Sequence, residues 1–100
     1  MATRNTDGQS TWNAVVIDPG DNVAVALSEI TTKAVVANRG AIENLSLCEA
    51  ISPGHKFAIR AIKAGEPVLK YGQAIGVATM DIAAGATVHV HNLKSNRCVV

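Results

Sequence analysis

From residue 14 onward apolar residues come in short bursts, and glycine or proline breaks each burst. Ala14-Val15-Val16-Ile17 opens the first. Asp18-Pro19-Gly20-Asp21 then reads as a turn, because Pro19 presets its own φ and Gly20 tolerates a positive one. In Asn22-Val23-Ala24-Val25-Ala26-Leu27 the large residues Val23, Val25 and Leu27 fall on one face of a strand, and Ala24 and Ala26 on the other. A strand with small residues on one face can lie close against another layer of backbone. Further strands are predicted over 41–47, 55–59, 67–71, 75–80 and 87–91, with a turn at Tyr71-Gly72-Gln73. Ile42, Leu45, Cys48 and Ile51 recur every three residues and would also suit one helix face. Pro53 and Gly54 cut that stretch short, so a strand is expected there. Pro67 removes a ladder donor, which puts its strand at a sheet edge or makes Pro67 the first strand residue. Gly76 marks a bend or the close approach of another backbone. Short strands separated by such turns imply an all-β domain.

A weak internal repeat organises these bursts. Four segments share an isoleucine with an apolar residue six positions later: Ile30 with Val36, Ile51 with Phe57, Ile62 with Val68 and Ile82 with Val88. The last three carry glycine three positions after the isoleucine, at Gly54, Gly65 and Gly85. Each segment reads as one device: the isoleucine anchors in the core, a glycine turn follows, and a strand leaves it. The first segment has Lys33 at the glycine position, so its turn must differ. The isoleucine spacings of 21, 11 and 20 indicate two related halves rather than a solenoid.

One hundred residues fit one domain. The apolar fraction of 48% supports a core, but 16 alanines, 12 valines and 8 isoleucines against three aromatics mean that it is built from small, stiff pieces. A net charge of +1 gives no electrostatic support for nucleic-acid binding. No apolar run approaches the roughly 18 residues of a membrane span. Residues 1–13 are polar and read as a flexible leader without a signal core, which leaves the cytoplasm as the expected location. Cys48 and Cys98 have no C-x-x-C partner and are expected to be free and buried.

The candidate chemistry lies in two places. His89 and His91 are two apart, so on a strand both imidazoles project from one face, with Val88 and Val90 opposite and Asn92 adding an amide. Two adjacent imidazoles can bind a metal or a polyhydroxy acid, or share a proton relay. Read alone, the pair is as readily a solvated strand face. His55 and Lys56 follow Pro53-Gly54, a turn that fixes where they point. Lys56 can neutralise a carboxylate, with His55 as hydrogen-bond donor or acid/base; a polar strand start explains them equally well. Lys70-Tyr71 reads as surface decoration. No nucleophile elbow, zinc-protease, P-loop or dinucleotide motif is present.

Five motifs stand in one order: Asp21-Asn22-Val23-Ala24-Val25-Ala26-Leu27; Pro53-Gly54-His55-Lys56; residues 64–76, containing Lys70-Tyr71-Gly72-Gln73-Ala74-Ile75-Gly76; Asp81-Ile82-Ala83-Ala84-Gly85; and Val88-His89-Val90-His91-Asn92. In that order they resemble the SAF-type domain of the altronate/galactarate dehydratase family, over residues 14–95, with 96–100 as a tail. The resemblance implies a β-clip fold of bent hairpins. It also implies a hydro-lyase that removes water from a sugar acid such as altronate or galactarate, giving a 2-keto-3-deoxy acid. A divalent metal, Fe2+ or Mn2+, and a large dehydratase subunit as partner come with it. As a small subunit or an N-terminal domain the chain would supply one wall of the site, with His55 and Lys56 as catalytic candidates, His89, His91 and Asn92 toward substrate or metal, and most metal ligands on the large subunit. The alternatives are the small subunit of a sulfolactate sulfo-lyase and a non-catalytic carbohydrate-binding or interaction module.

Overall fold

The computed structural model describes residues 12–38 and 40–95. Among these it holds nine strands and no helix: β1 (Ala14–Val15), β2 (Val23–Ala26), β3 (Lys33–Asn38), β4 (Ala41–Ser46), β5 (Lys56–Ala58), β6 (Pro67–Lys70), β7 (Gln73–Ala78), β8 (Thr87–Val88) and β9 (Leu93–Ser95). The domain is all-β. One sheet runs β4-β3-β1-β2-β5-β8 and the other β9-β7-β6. β1 and β3 pair in parallel, with Ala14 opposite Val36. The remaining neighbours are antiparallel.

The four isoleucine anchors pair two by two. Ile30 and Ile51 exchange backbone hydrogen bonds in both directions, at 3.0 and 2.8 Å, and Ile62 and Ile82 do the same at 2.8 and 2.7 Å. The turn after each anchor closes on the opposite arm. In the second pair the closure is reciprocal. The Gly65 N–H donates to the Ala78 carbonyl at 2.8 Å, and the Gly85 N–H to the Ala58 carbonyl at 2.7 Å. The Ala78 and Ala58 N–H groups donate in return to Glu66 and Ala86 at 2.9 and 3.0 Å. In the first pair Gly54 donates to Ala26 at 2.8 Å, and Ala26 donates to the His55 carbonyl at 3.0 Å. The arm without glycine closes differently: the Leu47 N–H reaches the Thr32 carbonyl at 2.9 Å. Gly54, Gly65 and Gly85 have φ of 82°, 88° and 90°, the positive value that the third residue of a type II turn needs. The sequence repeat is thus two hairpin clips, each held by one isoleucine pair.

Each clip has its own core. Ile30 and Ile51 pack with Ala14, Val16, Ala24, Ala26, Ala34, Val36 and Phe57. Ile62 and Ile82 pack with Val23, Ala58, Val68, Ala78 and Val88. β2 and β5 divide the two: Ala24 and Phe57 face one core, and Val23 and Ala58 the other. The small face of β2 therefore meets the first core, while Leu27, at the strand's end, is exposed. A fully buried Ile or Phe contributes about 1.5–3 kcal/mol, so Phe57 and the four anchors are the main apolar supports.

β6 is an edge strand and begins at Pro67, as the missing donor requires. A Cβ on Gly76 would overlap the Lys94 carbonyl oxygen. The approaching backbone is β9, a strand the sequence pattern does not reveal because Leu93-Lys94-Ser95 has one apolar residue. Asn13, read as the end of the leader, accepts from the Val35 N–H through its side chain at 2.8 Å. Residues 1–11, the tail at 96–100 and Cys98 lie outside the described residues. Cys48 is free and exposed rather than buried, because it follows the end of edge strand β4.

Candidate functional site

The strand predicted over 87–91 ends at Val88. Residues 89–92 form a turn, and Asn92 builds it. The Asn92 Oδ1 accepts from the His89 N–H at 2.9 Å, and its Nδ2 donates to the Thr87 carbonyl at 2.8 Å. The Asn92 N–H closes the turn on the His89 carbonyl at 3.0 Å. Asn92 is buried, with both ends of its amide engaged, so it shapes the turn rather than facing solvent. Val90 does not sit beside Val88: Val88 is in the core, and Val90 is 81% exposed at the turn's tip.

This turn breaks the expected pairing of His89 with His91, because the alternation that would align them stops at Val88. His89 instead meets His55, with ring centroids 5.4 Å apart and planes tilted by 33°. β5 and β8 place them: Lys56 stands opposite Val88 in the antiparallel ladder, which brings the residue before β5 beside the residue after β8. Both histidines are exposed. His91 is close enough to Glu49 for its charge to act on that carboxylate. The Glu49 carboxylate accepts the Thr87 N–H at 2.9 Å. That bond first, then the Thr87 side chain, and last the nearby His91 hold Glu49 below its ordinary value of 4.5, against a smaller upward push from burial.

Lys56, which follows His55 in the chain, is half-buried. Burial, and secondly the charge of Lys70, push its ammonium below the ordinary lysine value. Lys70 ends β6, and its Nζ lies 4.8 Å from the centroid of the Tyr71 ring. Tyr71 has φ 59° and Gly72 φ 73°. Two successive positive φ values make a type I′ hairpin turn, and for a non-glycine residue such a φ costs roughly 1–2 kcal/mol. The fully buried Asp21 holds the turn. Its carboxylate accepts N–H groups from Tyr71 at 3.0 Å, Gly72 at 2.8 Å and Asp18 at 3.1 Å. Asn22 grips the same hairpin lower down, accepting from the Leu69 N–H at 2.8 Å and donating to the Pro67 carbonyl at 3.0 Å. Neither role was legible beforehand, since these partners are 45 to 51 positions away in sequence.

His55 and His89 make an open face; Lys56, opposite Val88 in the ladder, shares the other side of the strand with Ala58, and its charge couples to that of Lys70. The described residues enclose no pocket, and among them no three His, Cys, Asp or Glu side chains converge. They therefore do not compose a metal centre of their own, which would need about three protein ligands. What the face can do alone is attract an anion and offer imidazoles as proton donors or acceptors.

A family model described as the altronate/galactarate dehydratase SAF domain matches residues 12–96. The chain is 45% identical over 78 residues to altronate dehydratase of Escherichia coli (strain K12), a match covering 76% of this chain and 15% of that protein. It is 37% identical over 82 residues to altronate dehydratase of Bacillus subtilis (strain 168), covering 82% and 16%. It is 48% identical over 44 residues to (2R)-sulfolactate sulfo-lyase subunit alpha of Paracoccus pantotrophus, covering 44% and 66%. The matched region is thus about one sixth of either altronate dehydratase and two thirds of the sulfo-lyase subunit.

Proposed function

The chain belongs to the altronate/galactarate dehydratase SAF domain family, and from that premise we propose that it forms one wall of the active site of a sugar-acid hydro-lyase. The rest of that site belongs to a large dehydratase subunit or to further domains. The observation that carries this reading is the exposed His55–His89 pair, with half-buried Lys56 at the next ladder position, in a domain whose described residues enclose no pocket. A face that is chemically equipped but open suits a site completed by another body.

The reaction removes the proton next to the substrate carboxylate and a hydroxyl from the neighbouring carbon. The resulting enol then rearranges to a 2-keto-3-deoxy acid. Charge builds on the carboxylate side as the proton leaves, and a cation placed there stabilises it. Lys56 has that role here, and its partial burial strengthens the interaction by excluding water. An imidazole of the His55–His89 pair donates a proton to the departing hydroxyl. His91, whose charge acts on Glu49, takes no part in this step. A divalent iron or manganese ion in the assembly would take its ligands mainly from the larger body, since among the described residues no three His, Cys, Asp or Glu side chains converge.

A second reading is the elimination of sulfite from sulfolactate, supported by the 48% identity to a sulfo-lyase alpha subunit. The proton abstraction is shared and only the leaving group differs. The test is co-expression with a large dehydratase subunit, followed by assay of altronate, galactarate and sulfolactate. Activity that needs this chain is the expected result. Undiminished activity of the large subunit alone overturns the proposal, and sulfite release without sugar-acid dehydration selects the second reading.

A further inference from the structure

The Lys70–Tyr71 tip has no role in the proposed chemistry, yet it is among the most tightly specified pieces of backbone in the molecule. Tyr71 is the one non-glycine residue with positive φ among the described residues. A type I′ turn is satisfied best by Asn-Gly or Gly-Gly, and a hairpin selected for stability alone has no use for tyrosine at that position. The ring is not buried in compensation: Tyr71 is 60% exposed. Strain of this kind persists only where the surroundings over-determine it, and it concentrates at functional positions.

The surroundings are on view. A carboxylate with no exposed surface accepts the N–H groups of both turn residues. Asp21 is itself fixed, since its backbone carbonyl accepts from the Arg60 guanidinium at 3.3 Å. Asn22 anchors the hairpin at Pro67 and Leu69. Gly72 fits closely: a Cβ there would stand 3.0 Å from the Asp18 carboxylate. The whole Asp18–Asn22 turn is thus a cradle for one hairpin, and that hairpin ends in half-buried Lys70 and exposed Tyr71, with the Lys70 charge near enough to act on Lys56.

We propose that the Lys70–Tyr71 tip is a substrate-binding element, and that Asp21 is the positioning residue that holds it in place. Lys70 meets a second anionic or hydroxyl-rich part of the acid, beyond the carboxylate at Lys56. The Tyr71 ring covers it, and the phenol offers a hydrogen bond to a hydroxyl. This inference rests on the lyase reading above. The charge of Lys70 also reaches Lys56, which agrees with both facing one bound molecule.

The test uses the chain assembled with its large subunit and acting on altronate, galactarate or sulfolactate. Tyr71→Gly relieves the positive φ, so its thermal midpoint stays level or rises while KM rises. Lys70→Ala raises KM by about tenfold or more, the loss of one charge-assisted contact. Asp21→Asn raises KM with kcat nearly kept, and shifts the Tyr71 and Gly72 amide resonances. If Asp21→Asn fails to fold, the Tyr71→Gly and Lys70→Ala variants still decide. An active wild type whose Tyr71→Gly and Lys70→Ala variants keep KM and kcat overturns the binding role. A raised KM for those two, with Asp21→Asn losing only thermal stability, overturns the positioning role. A wild-type assembly inactive on all three acids rejects the lyase reading itself, and the tip's role with it.

Discussion

Replacing Gly54, Gly65 and Gly85 by alanine, one at a time, separates backbone strain from steric overlap. The three residues share a φ of 82–90°, and each donates its N–H to an alanine carbonyl at 2.7–2.8 Å. They differ in space. Nothing lies within 4 Å of a Cβ built on Gly54 or Gly65, whereas one on Gly85 would overlap the Ser46 carbonyl oxygen and lie 3.1 Å from the Leu47 Cα. Alanine at positive φ costs roughly 1–2 kcal/mol, and the stiffer unfolded chain returns about 0.4–1 kcal/mol of this. Gly54→Ala and Gly65→Ala should therefore lose about 1 kcal/mol, a fall of about 4–8 °C in Tm for a domain of this size. Gly85→Ala adds overpacking against backbone, about 1–3 kcal/mol more, so its Tm should fall at least twice as far. Urea and thermal denaturation of the three variants read this directly. Equal losses at all three positions would show that the close contact between Gly85 and the end of β4 is wrong.

Asn92→Ala removes the partner of the His89 N–H and the Thr87 carbonyl, at a cost of about 0.5–1.5 kcal/mol for each of these part-buried bonds, visible as a lower urea midpoint. Glu49 has a lowered carboxyl value in the folded state, so the stability it contributes is present above its ordinary 4.5 and fades as pH falls toward the folded value. Glu49→Gln should accordingly flatten that part of the acid limb in a Tm-versus-pH series, and an unchanged limb rejects the Thr87 contact as its cause. Lys70→Ala removes a repelling charge, so the Lys56 ammonium should titrate higher, though still below an exposed lysine, in an NMR pH series. An unmoved Lys56 titration denies the coupling.

Much of the fold was legible because its key signals are local. The isoleucines at 30, 51, 62 and 82 do pair as two clips, and glycine at one offset does mark the same turn three times. Lys33, where that glycine is missing, does have a different closure. Pro67 and Gly76 read correctly for the same reason, since a missing donor and a missing Cβ act wherever the residue sits. The site was less legible. The histidines stood out as candidates, but period-two alternation paired His89 with His91, and an asparagine side chain standing in for a strand partner ends that alternation at Val88. His55 and His89 are joined by a strand pairing between distant segments, which no local pattern encodes. Asp21 looked like an ordinary turn residue and Asn22 like the start of a strand; their burial depends on a hairpin that folds against them from the other half.

The pairing of His55 with His89 is the centre of the account, and steady-state kinetics of single and double alanine variants, in the chain assembled with a large dehydratase subunit, test it most directly. His55→Ala and His89→Ala should each lower kcat by about 10²-fold or more, the range for a lost general acid. The double variant should be little worse than either, because the two act as one unit, and His91→Ala should stay near wild type. Wild-type kcat for His55→Ala, or a loss in His91→Ala matching that in His89→Ala, would contradict it.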